Sequence, residues 1–251
     1  MSPDTPTPPA GVPRLGVVIP ALDEEEHLPF LLDDLRSLPV PVEIVVVDGG
    51  SSDETLAAAR NGGARTVRGD RGRGLQMNAG AHALETPWLL FLHADSRVPA
   101  ATRSALAEWL SDPHSCEAAH FAFQLDQEGL WWTVLERGQR VRERVTGLAY
   151  GDQGLLLSRG RYEEIGGIPD LPLMEDVEAI RRLRRIGAVD RIEAPIVTST
   201  RRYREDGPFL GWLRNAVLLG LYSLGVPPRI LVRWYRPRLS SGSGPIPRCP
   251  A

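Results

Sequence analysis

The 251-residue chain contains no lysine: all 29 of its basic residues are arginine. That absence excludes any Schiff-base chemistry through pyridoxal phosphate or an aldolase-type lysine, a phosphate-loop lysine, and the lysine of a kinase third strand. A phosphate bound here must meet arginine, backbone amides or a metal ion. Cysteine is nearly absent too. Cys116 and Cys249 stand far apart, so neither a disulfide framework nor a cysteine zinc site is indicated, and a reducing cytoplasm fits. No apolar run reaches the about 20 residues needed to cross a bilayer, because glycines and prolines interrupt the longest one, 215–228. The first thirteen residues, MSPDTPTPPAGVP, lack the basic and apolar blocks of a signal peptide and read as a disordered lead. The arginine bias suits a GC-rich bacterial genome, and a net charge of -3 argues against a nucleic-acid partner.

Charge is unevenly spread. Residues 1–200 hold 20 arginines against 30 acids, whereas residues 201–251 hold 9 arginines against 2 acids. The chain therefore divides into a lead (1–13), a main domain (14–200), a basic helical annex (201–238) and a disordered tail (239–251). Within the main domain short apolar runs alternate with helical periods. LGVVIP (15–20), EIVVVD (43–48), a short run at 64–67 and WLLFLH (88–93) read as buried strands. Helices are expected over 24–38, after Ser51 and Glu54 as a capping box, over 75–84 and over 100–110. Further on, 116–125 alternates as a strand, 130–145 as an amphipathic helix, 154–159 as a strand, 174–187 as a helix and 196–199 as a strand. The annex reads as two helices on either side of a break at 225–228. This predicts an α/β fold: a mixed, mostly parallel sheet flanked by helices, with a C-terminal helical annex.

In an open parallel sheet ligands gather at the carboxyl ends of the strands. The first strand runs into Ala21-Leu22-Asp23-Glu24, the second ends in Asp48 and the fourth in His93-Ala94-Asp95. One acid after a strand is commonly a turn or cap residue. Three at one edge suit ribose hydroxyls, an imide N–H and a divalent cation, which takes one or two protein carboxylates plus substrate phosphates. A nucleoside diphosphate meets all three demands. The loop 68–74 adds Arg68, Arg71 and Arg73 among glycines, a set suited to a diphosphate or simply to a solvated loop, and it does not fit the dinucleotide pattern.

The strings VVIPALDEEEHLPFLLDDL, EIVVVDGGSSDETLAAA, GRGLQMNAGA, LLFLHADSRVP, YGDQGLLLSR and PLMEDVEAIRRLRRIG, in this order over about residues 14–200, resemble family 2 glycosyltransferases of the GT-A fold. The segment 201–238 further resembles a small bacterial subgroup associated with arsenosugar biosynthesis. The resemblance implies an inverting, metal-dependent transfer of one sugar from a nucleoside-diphosphate donor, most simply a UDP-sugar, to an acceptor hydroxyl. It implies that Pro20, Ala21 and Glu24 line the nucleotide pocket, that Asp48 binds uracil or ribose, and that Asp95 ligates Mn2+ or Mg2+. The family's usual Asp-x-Asp has His93 at its first position, which leaves a ribose contact, a metal ligand and a buried structural histidine open. Asp176, beside Glu175 at a helix start, is the implied catalytic base, while the bland alternative has both acids complementing the helix dipole and pairing with Arg181 and Arg182. The resemblance puts the loop Tyr150-Gly151-Asp152-Gln153 beside the acceptor or the donor sugar, the bland alternative being a glycine turn that needs no ligand; Gly151, Asp152 and Glu175 are the acceptor candidates. Arg73 and Arg202 are candidate diphosphate ligands. The Gln-x-x-Arg-Trp motif of processive synthases is absent near Arg201, so single transfer is expected.

Two rivals remain. A sugar nucleotidyltransferase would need a glycine-rich start and a catalytic lysine. A non-catalytic nucleotide-sugar-binding or membrane-associated scaffold is the alternative. The acceptor is open between a small molecule and a lipid-linked one. The annex is open between peripheral contact with the inner face of the cell membrane, packing on the main domain and a homodimer contact.

Overall fold

The computed structural model describes residues 14–111, 116–127, 129–146, 151–200 and 208–235. The expected lead and tail, Tyr150, Arg201 and Arg202 lie outside the described residues. The elements run β1 (Leu15–Ala21), α1 (Leu28–Arg36), β2 (Val42–Asp48), α2 (Thr55–Asn61), β3 (Arg65–Arg68), α3 (Arg73–His82), β4 (Trp88–Phe91), β5 (Ser96–Arg97) and α4 (Ala100–Ser111). Then come β6 (Ala118–Leu125), α5 (Leu130–Thr146), a 3-10 turn (Gly151–Gln153), β7 (Leu155–Ser158), α6 (Arg159–Glu164), α7 (Glu175–Ile186), β8 (Asp190–Thr198), α8 (Pro208–Ser223) and α9 (Pro228–Leu231).

The eight strands form one sheet in the order β3-β2-β1-β4-β7-β6-β8-β5. The pairs β3–β2, β2–β1, β1–β4 and β6–β8 are parallel; β4–β7, β7–β6 and β8–β5 are antiparallel. The expected mixed, mostly parallel α/β sheet is thus observed. Successive side chains of a strand point to opposite faces, and here both faces are covered. Leu15, Val17, Ile19 and Ala21 of β1 enter a core with α1 and α4, while Val18 enters a second core with β2's Val45 and Val47 and with α3 and α7. Burial on both faces is why these strands read as unbroken apolar runs. On α1, Leu28, Leu31, Leu32 and Leu35 are fully buried; truncating any one to Ala would cost about 2–5 kcal/mol.

Four local expectations need correction. The first helix begins at Leu28, not 24, because residues 24–27 form a turn in which Leu28 N–H donates to Glu24 O. The Ser51–Glu54 capping box does not form: Glu54 is the N-cap, its N–H donates to Glu25 Oε2, and Asp53 Oδ1 accepts from Thr55 N–H. Strand β8 starts six residues before the expected 196, and the short helix α6, capped by Ser158 Oγ, was not foreseen. The annex does form helices on both sides of 225–228, and it packs: Leu218, Leu219 and Leu231 are buried in the core that holds Val177 and Ile180 of α7.

Candidate active site

Strands β1, β2 and β3 end in one row, with Ala21 opposite Asp48 and Asp48 opposite Arg68. Pro20 lies beyond the last β1–β4 partners, Val18 and Phe91, so the strand end tolerates a residue without N–H. Gln76 on α3, itself buried, fastens the row: its Nε2 donates to Ala21 O at 2.9 Å and to Val47 O at 2.8 Å. Asp48 is 2% exposed and its Oδ1 accepts from Ser51 N–H at 3.0 Å. The following loops are laced together. Asp23, in the left-handed region at φ 53°, donates its N–H to Ser51 Oγ, accepts from Ser52 N–H, and delivers Glu24, whose N–H donates to Thr55 Oγ1 at 2.8 Å. Glu24 is buried at the row's edge, with Oε2 3.7 Å from His27 Nδ1. Pro20, Ala21, Glu24 and Asp48 therefore share one strand-end edge, as expected.

Helix α3 starts at Arg73, and its guanidinium meets Glu175 at the first residue of α7, Nε to Oε1 2.7 Å. Glu175 is 1% exposed, so it turns inward to Arg73. Burial works against the charge on Arg73, yet the carboxylates of Glu175, Asp176 and Asp152 and the Tyr235 hydroxyl outweigh it and raise its pKa. The approach of α3 to the loop before α7 depends on glycine: a Cβ at Gly74 would fall 2.4 Å from Pro169 O. Asn78 fixes the loop before α7, accepting from Ile168 N–H and donating to Ile168 O, both at 2.8 Å. Met174 then takes a left-handed turn at φ 67° into α7. Among the described residues Asp23 and Met174 are the non-glycine positions with positive φ, and both border this edge.

Asp176 is half-buried, and its Oδ1 accepts from Val177 N–H at 2.7 Å. The bland pairing with Arg181 and Arg182 is not what forms. Arg182 pairs with Glu178 at 3.5 Å, and Arg181 donates to Ser223 Oγ at 3.0 Å and lies over the Tyr222 ring. Tyr222 also donates its hydroxyl to Glu178 at 2.7 Å, a contact that with burial pushes its pKa up to about 12.

His93 and Asp95 are both buried in the turn after β4, where Ser96 N–H donates to His93 O. Ser96 pairs with Thr198 of β8, and Thr198 Oγ1 donates to Asp152 O at 3.0 Å. The His93–Asp95 turn after the fourth strand and the Gly151–Gln153 turn thus share one edge. That turn is anchored from behind. Gln153 Nε2 donates to Phe121 O at 3.1 Å and to Glu143 Oε2 at 2.9 Å, and Glu143 Oε1 pairs with Arg191 at 2.8 Å and stands 3.8 Å from His120. Burial pushes the His120 pKa down, and Arg191 and Arg184 reinforce this against the Phe121 carbonyl and Glu143. Among the described residues no three His, Cys, Asp or Glu side chains converge on a metal-sized point. A buried Asp95 with His93 two residues away fits a hard cation that completes its shell with substrate phosphates.

Sequence reasoning missed Gln76, Asn78, Thr198 and the Glu143–Arg191–His120 cluster. The only signal for Gln76 and Asn78 is polarity on the inward face of a helix; Thr198 and the cluster gave none.

The chain matches Glycosyl transferase family 2 over residues 16–161, more than half of its length. An uncharacterized glycosyltransferase of Mycobacterium tuberculosis is 38% identical over 85 residues, covering 34% of this chain and 38% of the relative. A PGL/p-HBAD biosynthesis glycosyltransferase of the same species is 40% identical over 91 residues, covering 33% of this chain and 36% of the relative. The matched segments thus span under two fifths of these curated relatives. Among solved structures, the mannosyltransferase PcManGT from Pyrobaculum calidifontis, in complex with GDP-Man and Mn2+, superposes with TM-score 0.62 at 22% identity, covering 91% of this chain and 71% of that one. Glucosyl-3-phosphoglycerate synthase from Mycobacterium tuberculosis, in complex with Mn2+, UDP and glucosyl-3-phosphoglycerate, gives TM-score 0.58 at 19% identity, covering 86% and 81%. These likenesses establish the fold, the GT-A-like α/β arrangement.

Proposed function

Since the chain belongs to glycosyl transferase family 2, we propose that it moves a single sugar, with inversion, from a nucleoside-diphosphate sugar, the nucleotide being UDP, to an acceptor hydroxyl. The observation that carries this reading is the setting of Arg73. One guanidinium, held by Glu175 at 2.7 Å, also feels Asp176 and Asp152, so a cation for the leaving group and carboxylates for the acceptor side occur together.

In this reading Pro20, Ala21, Glu24 and Asp48 receive the nucleoside, with Asp48 accepting from the uracil imide or a ribose hydroxyl. Asp95, with His93 beside it, would hold Mn2+ or Mg2+, which when bound neutralises charge on the diphosphate. The Gly151–Asp152 turn holds the acceptor. The acceptor oxygen forms its bond to the anomeric carbon from the face opposite the diphosphate, the bond to the diphosphate oxygen breaks, and the hydroxyl proton passes to Asp176. Arg73 meets charge developing on the leaving group. Glu175 acts through Arg73, holding its fork in place. Two neighbours of the same fold, solved with GDP-Man and Mn2+ and with UDP and Mn2+, support the donor class.

The test is Asp176→Asn. Donor affinity within about twofold of wild type and transfer reduced by about a hundredfold or more support the base assignment; retained transfer contradicts it. Slow donor hydrolysis without acceptor separates the enzyme from a non-catalytic binding protein.

A further inference from the structure

Helix α8 carries its apolar residues on two opposed faces. Leu218 and Leu219 are buried against the α7 side of the core. On the other face Leu210, Leu213 and Val217, spaced by three and four residues, are 63%, 40% and 48% exposed, and Leu224, just past the helix end, is 84% exposed. Beyond the turn at Gly225, Ile230 and Trp234 continue the exposed apolar set, Trp234 at 61%, and Arg229 and Arg233 are exposed among them. Leucine, valine and tryptophan side chains exposed in one stretch of chain together with arginine make a poor surface for water. The surrounding charge selects its occupant. The described residues 208–235 carry Arg214, Arg229 and Arg233 and no Asp or Glu, so a second copy of this face would bring positive surfaces together, whereas an anionic bilayer meets both the apolar side chains and the charge. Among the described residues no helix is long and apolar enough to cross a membrane, so contact of this kind is peripheral.

We propose that the outward face of α8 together with α9 docks on an anionic phospholipid bilayer. The geometry ties this surface to the site. Tyr222 donates to Glu178 and Ser223 accepts from Arg181, both on α7, the helix that begins at Glu175 and Asp176. Resting on the function proposed above, docking would bring the site to the bilayer, and the acceptor class is then a lipid-linked one.

Flotation of the full chain with vesicles tests the docking. Vesicles of phosphatidylglycerol and phosphatidylcholine at 3:7 should retain the protein at least tenfold better than phosphatidylcholine alone. The triple variant Leu213→Ser, Val217→Ser, Leu224→Ser should lose at least tenfold of that binding. The pair Arg229→Ala, Arg233→Ala should lose about 25-fold, from roughly fivefold per arginine near an anionic surface. UDP titration of the same preparations reports the nucleotide site independently, so failed docking with intact UDP binding overturns only the docking, and lost UDP binding in the wild type overturns only the site. Equal binding to both vesicle types overturns the proposal. So does a dimer in sedimentation equilibrium that the triple variant dissociates, which would assign the face to a second copy.

Discussion

Replacing Arg73 by Ala removes one half of an ion pair whose other half cannot escape to water. The Glu175 side chain is 2% exposed and Arg73 32%, with 2.7 Å between them. Deleting one partner of a fully buried pair costs about 3–5 kcal/mol. Because a third of the arginine already faces solvent, the expected loss is about 2–3 kcal/mol. Urea unfolding at pH 7.5 measures it. The variant carries its own signature, since an uncompensated Glu175 in that setting has its pKa pushed above the unfolded carboxylate value of about 4.3. The folded variant then binds more protons than the unfolded one, so its deficit relative to wild type shrinks as pH falls from about 7 toward 4.5. Arg73→Ala combined with Glu175→Gln should be more stable than Arg73→Ala alone, giving a coupling of at least about 1 kcal/mol in the double-mutant cycle. A loss below about 0.5 kcal/mol that is flat with pH would refute the reasoning.

Other perturbations reach the remaining parts of the site. Asp95→Ala should weaken UDP binding in Mn2+ at least about tenfold while leaving binding in EDTA unchanged, as calorimetry can read. Gly74→Ala puts a methyl 2.4 Å from Pro169 O; a thermal melt should show a loss of about 1–3 kcal/mol, with transfer activity falling because Arg73 and Glu175 are forced apart. His120 has its pKa lowered by burial, so the unfolded chain takes up a proton that the fold refuses, and stability declines as pH drops below about 6.5 with a slope of up to about 1.4 kcal/mol per pH unit. His120→Gln should flatten that decline in denaturant titrations at pH 5 and pH 7; an unchanged slope would show that another group is responsible.

The readable parts of this fold are those where local pattern and tertiary burial agree. Strand β1 and the end of β2 are buried and announce themselves as β-branched runs, and β4 announces itself as the apolar run WLLF. Strand β8 does not, because Pro195 interrupts it and its partner β6 shifts register between Phe121 and Ala122; only the last residues looked extended. The capping box failed because Ser51 and Glu54 were drawn into contacts with Asp23 and Glu25, 28 and 29 residues away, which no local window contains. The strand-end acids were legible because a parallel sheet sends its carboxyl ends to one edge. What holds them was not, because Gln76, Asn78 and Thr198 act through long-range hydrogen bonds. Glu175 illustrates the difference: its position at a helix start was evident, whereas its inward turn to Arg73 depends on the close passage of α3 against the Pro169 loop.

The central claim is a nucleoside-diphosphate site at the carboxyl ends of β1, β2 and β4. Calorimetric titration of the purified protein with UDP, GDP and their sugar conjugates, first with Mn2+ and then with EDTA, tests it most directly. The account predicts saturable binding of UDP and a UDP-sugar that weakens at least about tenfold in EDTA. Absence of binding by any of these nucleotides in the presence of Mn2+ would contradict it.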